Sequence, residues 1–245
     1  MRVVKVLVCL LLVITISGCN KKEKKDVVSN SNSNIVMEKE VDIYKVDFKN
    51  KSIDINDSVS AKYNICNIDS STKKEESKLI EKYLNDKVNN LFNEFKEVVN
   101  NQYIKNSSYI FDYQYSLFSQ NEKYIIFKLK YTIQSGEPHS IDGTEYYMFN
   151  INTGKIVEFD DLFTEDIKDK VYNSVLNNIN NMYKESEMKY NPTEYDLNTN
   201  MFFPGYYVLN NNKLIFSFPT STFTISAFGT IEIDIDSSIY NKYIK

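Results

Sequence analysis

The sequence predicts an α+β domain in which an antiparallel sheet carries two main helices packed on it. Two segments, 75–99 and 165–185, place apolar residues three and four positions apart, the spacing of a helix with one buried face. Around these segments apolar and polar residues alternate, as in strands that are buried on one side. Short turn sequences join neighbouring strands, so antiparallel pairing is expected.

The first eighteen residues have the plan of a secretory signal peptide. Two basic residues lie among the first five, and an apolar run follows over residues 6–16. This run is too short to span a bilayer core of about 30 Å as a helix. It ends in ISGC at positions 16–19, which resembles the lipobox of bacterial lipoproteins. The alternatives are an ordinary signal peptide followed by a chance cysteine, or an uncleaved anchor.

The lipobox resemblance implies a location for the protein. Cleavage follows Gly18, and Cys19 receives a diacylglyceryl thioether that anchors the chain at the extracytoplasmic face of the cell membrane. Each buried methylene of such an anchor contributes about 0.8 kcal/mol. Residues 19–40 are rich in Asn, Ser and Lys and lack an apolar period, which predicts a disordered tether.

The folded part is expected to comprise two subdomains, residues 41–135 and residues 136–245. In the first, a strand over 58–68 precedes the helix of 75–99, for which Ser71 or Thr72 is the expected N-cap. The alternating segments of the hairpin that follows are 108–118 and 125–133.

The second subdomain begins with a predicted hairpin over 145–159, whose turn is Asn152-Thr153-Gly154. The second main helix then starts after Thr164. Three further strands are expected at 205–209, 214–218 and 229–235, after a polar loop.

The net charge of the chain restricts the kinds of partner that we expect. The chain carries a net charge of −4, which becomes −6 without residues 1–18, because these contain two basic residues and no acidic ones. A nucleic-acid partner is therefore not expected, whereas a basic protein would be attracted.

Cys9 leaves with the signal peptide and Cys19 is acylated, so no disulfide framework is possible. Cys66 is expected to be a buried hydrophobe, with a reactive thiol as the alternative.

The stretch SIDGTEYYMFNINTGKIVEFDDLF, residues 140–163, resembles a Gram-positive extracytoplasmic family. This family of unknown function includes the ectodomain of the lysozyme-sensing anti-sigma-V factor and the N-terminal part of peptidoglycan N-acetylmuramic acid deacetylases. The resemblance extends from Val59 to Tyr240. It implies a domain of the cell envelope, with lysozyme as one possible partner.

The resemblance also implies roles for individual residues. Asn152, Gly154 and Lys155 match the family's turn, in which glycine supplies a positive φ. Asp161 matches an acidic residue at a helix N-terminus, and Phe163 matches a core residue. Gly229 matches the glycine before the last strand.

Residues in two loops are predicted to bind the partner. One contributes Glu137, His139 and Asp142. The other contributes Phe223, Ile225 and Phe228. The sequence departs from the family in the second loop, where Ile225 and Ser226 stand in place of a Pro-Tyr pair.

The sequence contains one histidine, which limits the chemistry that the chain can perform. A metal-dependent deacetylase needs two histidines and an aspartate on one metal ion, so this activity is excluded. No metal or cofactor is expected. A hydrolase centred on His139 would need a nearby serine, and no G-x-S-x-G motif is present. The acidic residues Glu158, Asp160 and Asp161 are expected to form a turn and a helix cap, and the alternative is that they act as the acid and base of a glycosidase.

These observations favour a non-catalytic binding lipoprotein over an enzyme. The expected partner is lysozyme or another basic protein that acts on the cell wall. A hydrolase of wall polymer that uses two carboxylates, and a structural scaffold of the envelope, are the alternatives.

Overall fold

The computed structural model describes residues 44–56, 58–185, 207–219 and 230–245, which all belong to one compact unit. Within these ranges no helix is long and apolar enough to cross a membrane. Some predictions lie outside the described residues and stay predictions. They concern the signal peptide, Gly18, Cys19, the tether, Phe223, Ile225, Phe228 and Gly229.

A five-stranded sheet forms the centre of the unit, with the strands in sequence order from β1 to β5. The strands are β1 (Lys45–Asn56), β2 (Val59–Asp69), β3 (Tyr109–Gln120), β4 (Tyr124–Ser135) and β5 (Ile141–Asn150). Neighbours pair antiparallel except for β2 and β3, which are parallel. The predicted hairpin between β3 and β4 is confirmed.

The long helix α1 (Lys74–Gln102) is the crossover that makes the parallel pair possible. Adjacent parallel strands need a connection of a dozen or more residues, because the chain must return to the end of the sheet where the first strand began. One face of α1 is buried against the sheet. Its buried residues are Ser77, Ile80, Leu84, Val88, Phe92, Phe95 and Val99. The helical spacing of the sequence therefore predicts both the helix and its buried face.

Beyond the large sheet and α1, the described residues form a three-stranded antiparallel sheet and a second long helix. The elements are α2 (Phe159–Leu162), α3 (Lys168–Glu185), β6 (Tyr207–Asn210), β7 (Lys213–Phe218), β8 (Ile231–Ile235) and α4 (Ser237–Tyr240). Asn211 and Asn212 form the β6–β7 turn with φ of 46° and 58°. Asparagine tolerates this left-handed backbone better than most residues.

Two hydrophobic cores lie on opposite faces of β5. Tyr147 and Phe149 pack in the core under α1, whereas Tyr146 and Met148 pack in the core that contains α3 and the three-stranded sheet. Alternate side chains of a strand point to opposite faces, so β5 is buried on both. The predicted boundary between the two subdomains, at residues 135 and 136, lies between β4 and β5. These two strands pair with each other in the large sheet.

The α+β class is confirmed, and the structure differs from the predicted architecture in its sheets. The large sheet is mixed rather than wholly antiparallel, and a second sheet is present. Strand β1 was missed, because it lies at a sheet edge and lysines and aspartates occupy many of its positions.

The hairpin predicted at 145–159 is confirmed in part: the chain turns after Asn150 and pairs antiparallel with β5, but only through the isolated bridge of Phe149 with Ile156. The predicted N-cap of α1 was wrong. Neither Ser71 nor Thr72 caps α1, since Lys73 occupies the cap position and its N–H donates to Ser70 Oγ at 3.0 Å.

Candidate functional site

A cleft of about 330 Å³ opens between α1, β5 and the segment that precedes α2. Its walls are rich in aromatic and charged side chains. They include Tyr83, Lys87, Glu145, Tyr147, Glu158 and Tyr207. We call this the tyrosine cleft. It combines ring faces, two carboxylates and one ammonium group.

Helix and strand geometry place these side chains together. Tyr83 and Lys87 lie four residues apart on α1, so they share one face of the helix. Glu145 and Tyr147 lie two residues apart on β5 and therefore point to the same face of the sheet. The packing of α1 on the sheet brings the two pairs together.

Lys87 already places an ammonium group in the tyrosine cleft. Its Nζ lies 3.9 Å from Glu145 Oε2 and 5.3 Å from the centroid of the Tyr147 ring. The Tyr147 hydroxyl donates a hydrogen bond to Glu145 Oε2. A carboxylate and a ring face are the two groups that bind an ammonium ion most effectively in proteins.

The second carboxylate, Glu158, is exposed at the start of α2. No described lysine lies within 4.0 Å of it. The tyrosine cleft thus holds two carboxylates and one ammonium group, which leaves an excess of one negative charge.

The pKa values of the cleft tyrosines are raised mainly by burial and further by the nearby carboxylates. Burial raises the pKa of Tyr147 and Tyr207 well above the ordinary value, and Glu145 and Glu158 respectively raise them further. For Tyr83, burial raises the pKa first, followed by Glu158 and Glu145. A nearby carboxylate disfavours a phenolate and favours a cation. The tyrosine cleft is therefore suited to a positively charged group.

The turn after β5 fixes one wall of the tyrosine cleft against α1. Gly154 has a φ of 66°, and a Cβ at this position would lie 2.7 Å from the carbonyl oxygen of Glu76. Lys73 Nζ donates to Asn152 Oδ1 at 2.5 Å, and the Asn150 N–H donates to the Lys155 carbonyl at 2.9 Å. The turn residues named from the sequence thus dock the chain on the first turn of α1.

Asp161 and Phe163 stabilise the short helix α2, which follows this turn. The Glu158 N–H donates to Asp161 Oδ2 at 2.8 Å, so Asp161 stabilises the start of the short helix α2 rather than the start of α3. Phe163 is 1% exposed and packs on Phe159 and Tyr240 at ring distances of 4.7 and 5.9 Å.

The predicted loop residues Glu137, His139 and Asp142 lie elsewhere. All three are exposed at the end of the β4–β5 hairpin. Asp142 Oδ1 accepts a hydrogen bond from Thr132 Oγ1 at 2.5 Å and lines a shallow groove that also contains Thr230. This groove is on the face of the sheet opposite to Glu145, because residues 142 and 145 differ by an odd number.

The prediction that Glu158 belongs to a turn and a helix cap is confirmed, because Glu158 is the N-cap of α2 and forms a capping box with Asp161. The sequence patterns place Glu145 and Tyr147 only in a strand, so they did not predict the tyrosine cleft. Within the described residues no group of three His, Cys, Asp or Glu side chains is placed to hold a metal ion. The YY pair at 146–147 beside Glu145 is the one local signal that could have indicated a site.

Comparison with known proteins identifies the fold. No family model matches the chain, and no curated protein matches it. Among solved structures, a member of the DUF3298 family from Bacteroides fragilis NCTC 9343 is similar with a TM-score of 0.59 at 14% identity, over 82% of this chain and 93% of that one. A DUF3298 family protein from Pseudomonas aeruginosa PAO1 gives 0.57 at 9% identity, over 82% and 94%. At these identities the likeness establishes a shared fold.

Proposed function

We propose that this chain is a lipoprotein of the bacterial cell envelope whose α+β domain binds a basic protein without catalysing a reaction. The tyrosine cleft carries the proposal, because it has an excess negative charge and already binds an ammonium group of its own chain. Lysozyme is the first candidate partner. The lipobox at residues 16–19 supports the membrane anchor, and the net charge of −4 supports a basic partner.

The dimensions of the tyrosine cleft suit a single side chain from the partner. Its volume of about 330 Å³ is at the lower end of the range for small-ligand sites. A lysine or arginine that enters would pair with Glu158 and place its cation against the ring of Tyr83 or Tyr207. Lys87 can keep its own contacts with Glu145 and Tyr147.

The test is a calorimetric titration of lysozyme into the protein in detergent micelles. It is carried out at low and at physiological salt concentration. We expect one-to-one binding that weakens as salt rises. Because the chain has no tryptophan, the indole fluorescence of lysozyme provides an independent signal without background.

Two matched variants locate the binding site. Glu158→Gln is expected to weaken binding about tenfold, or ~1.4 kcal/mol. Glu97→Gln removes the same charge from an exposed position of α1 outside the tyrosine cleft and is expected to change affinity little. The absence of heat at either salt concentration would refute lysozyme binding, and equal effects of the two variants would refute the site.

A hydrolase is the second candidate, since Glu145 and Glu158 line one cleft as the paired carboxylates of a glycosidase do. The contacts of Glu145 with Lys87 and Tyr147 favour binding instead. Release of soluble sugar from insoluble wall polymer distinguishes the two functions. We expect no release, and release that disappears in Glu158→Gln would establish the hydrolase.

A further inference from the structure

A polar groove of about 470 Å³ lies between α3 and the C-terminal residues 237–243. We call it the α3 groove. The residues that line it include Lys170, Ser174, Asn177, Asn178, Lys242 and Tyr243. None of the described residues that line it is acidic, in a chain whose net charge is −4.

Asparagine and serine side chains follow the α3 groove along the helix. One row consists of Lys170, Ser174 and Asn178, and the row beside it contains Asn177 with further asparagines four residues before and after it. Positions four apart lie on one face of a helix and advance about 6 Å. The α3 groove therefore presents polar groups at a regular spacing along its length.

Positive charge is concentrated at Tyr243. The Nζ atoms of Lys170 and Lys242 lie 4.5 and 5.1 Å from the centroid of its ring, and Lys170 donates a hydrogen bond to its hydroxyl. Within the described residues neither lysine has a carboxylate within 4.0 Å. The hydrogen bond from Lys170 lowers the pKa of the Tyr243 phenol, so this end of the α3 groove stabilises negative charge.

We propose that the α3 groove binds an acidic glycan, a sugar chain that carries carboxylate groups. Amide side chains both donate and accept hydrogen bonds, as sugar hydroxyl groups do, and the two ammonium groups match a carboxylate. Proteins that bind single-stranded nucleic acid stack successive bases on several aromatic rings, whereas Tyr243 is the single ring among the residues lining this groove. The α3 groove and the tyrosine cleft are formed by different helices and strands. Glycan binding in the groove therefore does not depend on the proposed function of the cleft.

The net negative charge of the chain does not prevent this binding. Repulsion by distant carboxylates is largely screened beyond about 8 Å at physiological ionic strength. A carboxylate bound at Tyr243 would instead contact the ammonium groups of Lys170 and Lys242 directly, and both of these lie close to that ring. Attraction at this short range is expected to exceed the screened repulsion.

The probe is a tetrasaccharide of alternating uronic acid and N-acetylhexosamine, titrated into the full-length protein in detergent micelles by calorimetry. A neutral tetramer of N-acetylglucosamine and an oligothymidylate of equal charge are the comparison ligands. We expect the acidic tetrasaccharide to bind at least tenfold more tightly than either. Absence of its binding, or equal binding of either comparison ligand, would overturn the proposal.

Variants of α3 localise the binding. Lys170→Gln and Asn177→Ala are each expected to weaken binding of the acidic tetrasaccharide severalfold, and Lys184→Gln, at an exposed position outside the groove, is expected to leave it unchanged. Alanine favours a helix more than asparagine does, so a loss of binding in Asn177→Ala does not arise from unfolding of α3. A loss in Lys184→Gln as large as that in Lys170→Gln would overturn the assignment to this groove.

Discussion

Two buried tyrosines of β3 differ in whether their hydroxyl groups are hydrogen bonded. The Tyr109 hydroxyl donates to the Gln102 carbonyl at 2.8 Å and accepts from the Ile104 N–H at 2.9 Å. The Tyr115 hydroxyl is buried and has no hydrogen-bond partner among the described residues. A buried polar group without a partner costs about 1–3 kcal/mol, whereas its removal costs little.

We therefore expect opposite effects from the same substitution at these two positions. Tyr115→Phe should leave the free energy of unfolding unchanged or raise it by up to about 1 kcal/mol, because the unpaired hydroxyl is removed. Tyr109→Phe should lower it by about 1–3 kcal/mol, because the Ile104 N–H and the Gln102 carbonyl lose their partner. Urea denaturation of both variants measures the difference. A larger loss for Tyr115→Phe than for Tyr109→Phe would contradict this account.

Residues of the candidate site were hard to predict because the tyrosine cleft is made by tertiary packing. Tyr83 and Lys87 belong to α1, and Glu145 and Tyr147 belong to β5, about sixty positions later. The helical and strand patterns predict which face each residue occupies, but no local pattern indicates which faces meet. Sequence therefore predicted the elements that carry the site, and its chemistry emerged only from their packing.

At the scale of elements, side chains replace the backbone pairing where β2 and β3 separate. Their parallel register ends at Tyr63 and Tyr113. Beyond it, the Asn64 amide accepts from the Tyr115 N–H at 2.7 Å and donates to the Tyr115 carbonyl at 2.9 Å. From α1, Asn85 bonds both backbone groups of Cys66 at 2.8 Å. These amides satisfy backbone groups that would otherwise be buried without partners.

Asn64→Ala should therefore lower the free energy of unfolding by about 2–4 kcal/mol, since two buried backbone groups of Tyr115 lose their partners. Asn90→Ala, at an exposed position of α1, is the control and should change stability by less than about 0.7 kcal/mol. Thermal or urea unfolding compares the two variants. Similar losses would mean that Asn64 does not stabilise the separation of these strands.

The elements that sequence predicted well are those with strong periodic patterns. Helix α1 and the β3–β4 hairpin are long and have regular apolar spacing. The parallel pairing of β2 with β3 was not predictable, because alternation within a strand is the same for both directions of pairing. Asn64 also gave no signal, since an asparagine within a strand pattern ordinarily indicates a turn.

At the scale of the whole molecule, buried tyrosines make stability sensitive to alkaline pH. Burial raises the pKa of Tyr113 to about 12 and, with a contribution from Glu81, that of Cys66 to about 12. Burial also raises the pKa of Tyr115, Tyr147 and Tyr207. A group with a raised folded pKa contributes stability that is complete below its unfolded pKa, about 10 for tyrosine, and is lost as pH rises towards the folded value.

We expect the free energy of unfolding to be nearly constant up to about pH 9 and to fall steeply between about pH 10 and 12. Each buried tyrosine removes up to about 1.4 kcal/mol per pH unit in this window. Urea denaturation across the range and phenolate absorbance measure the effect. Partly exposed tyrosines such as Tyr243 should ionise first and gradually, whereas the absorbance of the buried ones should rise cooperatively with unfolding. Gradual ionisation of all the tyrosines near pH 10 with the fold intact would contradict the expected burial.

The parallel pairing of β2 with β3 divides the large sheet into two antiparallel pieces that meet along a short seam. The seam has five residue pairs, between 59–63 and 109–113, whereas β3 and β4 pair over almost their full lengths. If the seam breaks, the β1–β2 hairpin and the β3–β4–β5 meander each keep their own ladder of hydrogen bonds. The two pieces of the sheet are thus expected to separate transiently along this seam. Amide protons of the seam should then exchange with solvent through a partial opening that needs less free energy than global unfolding.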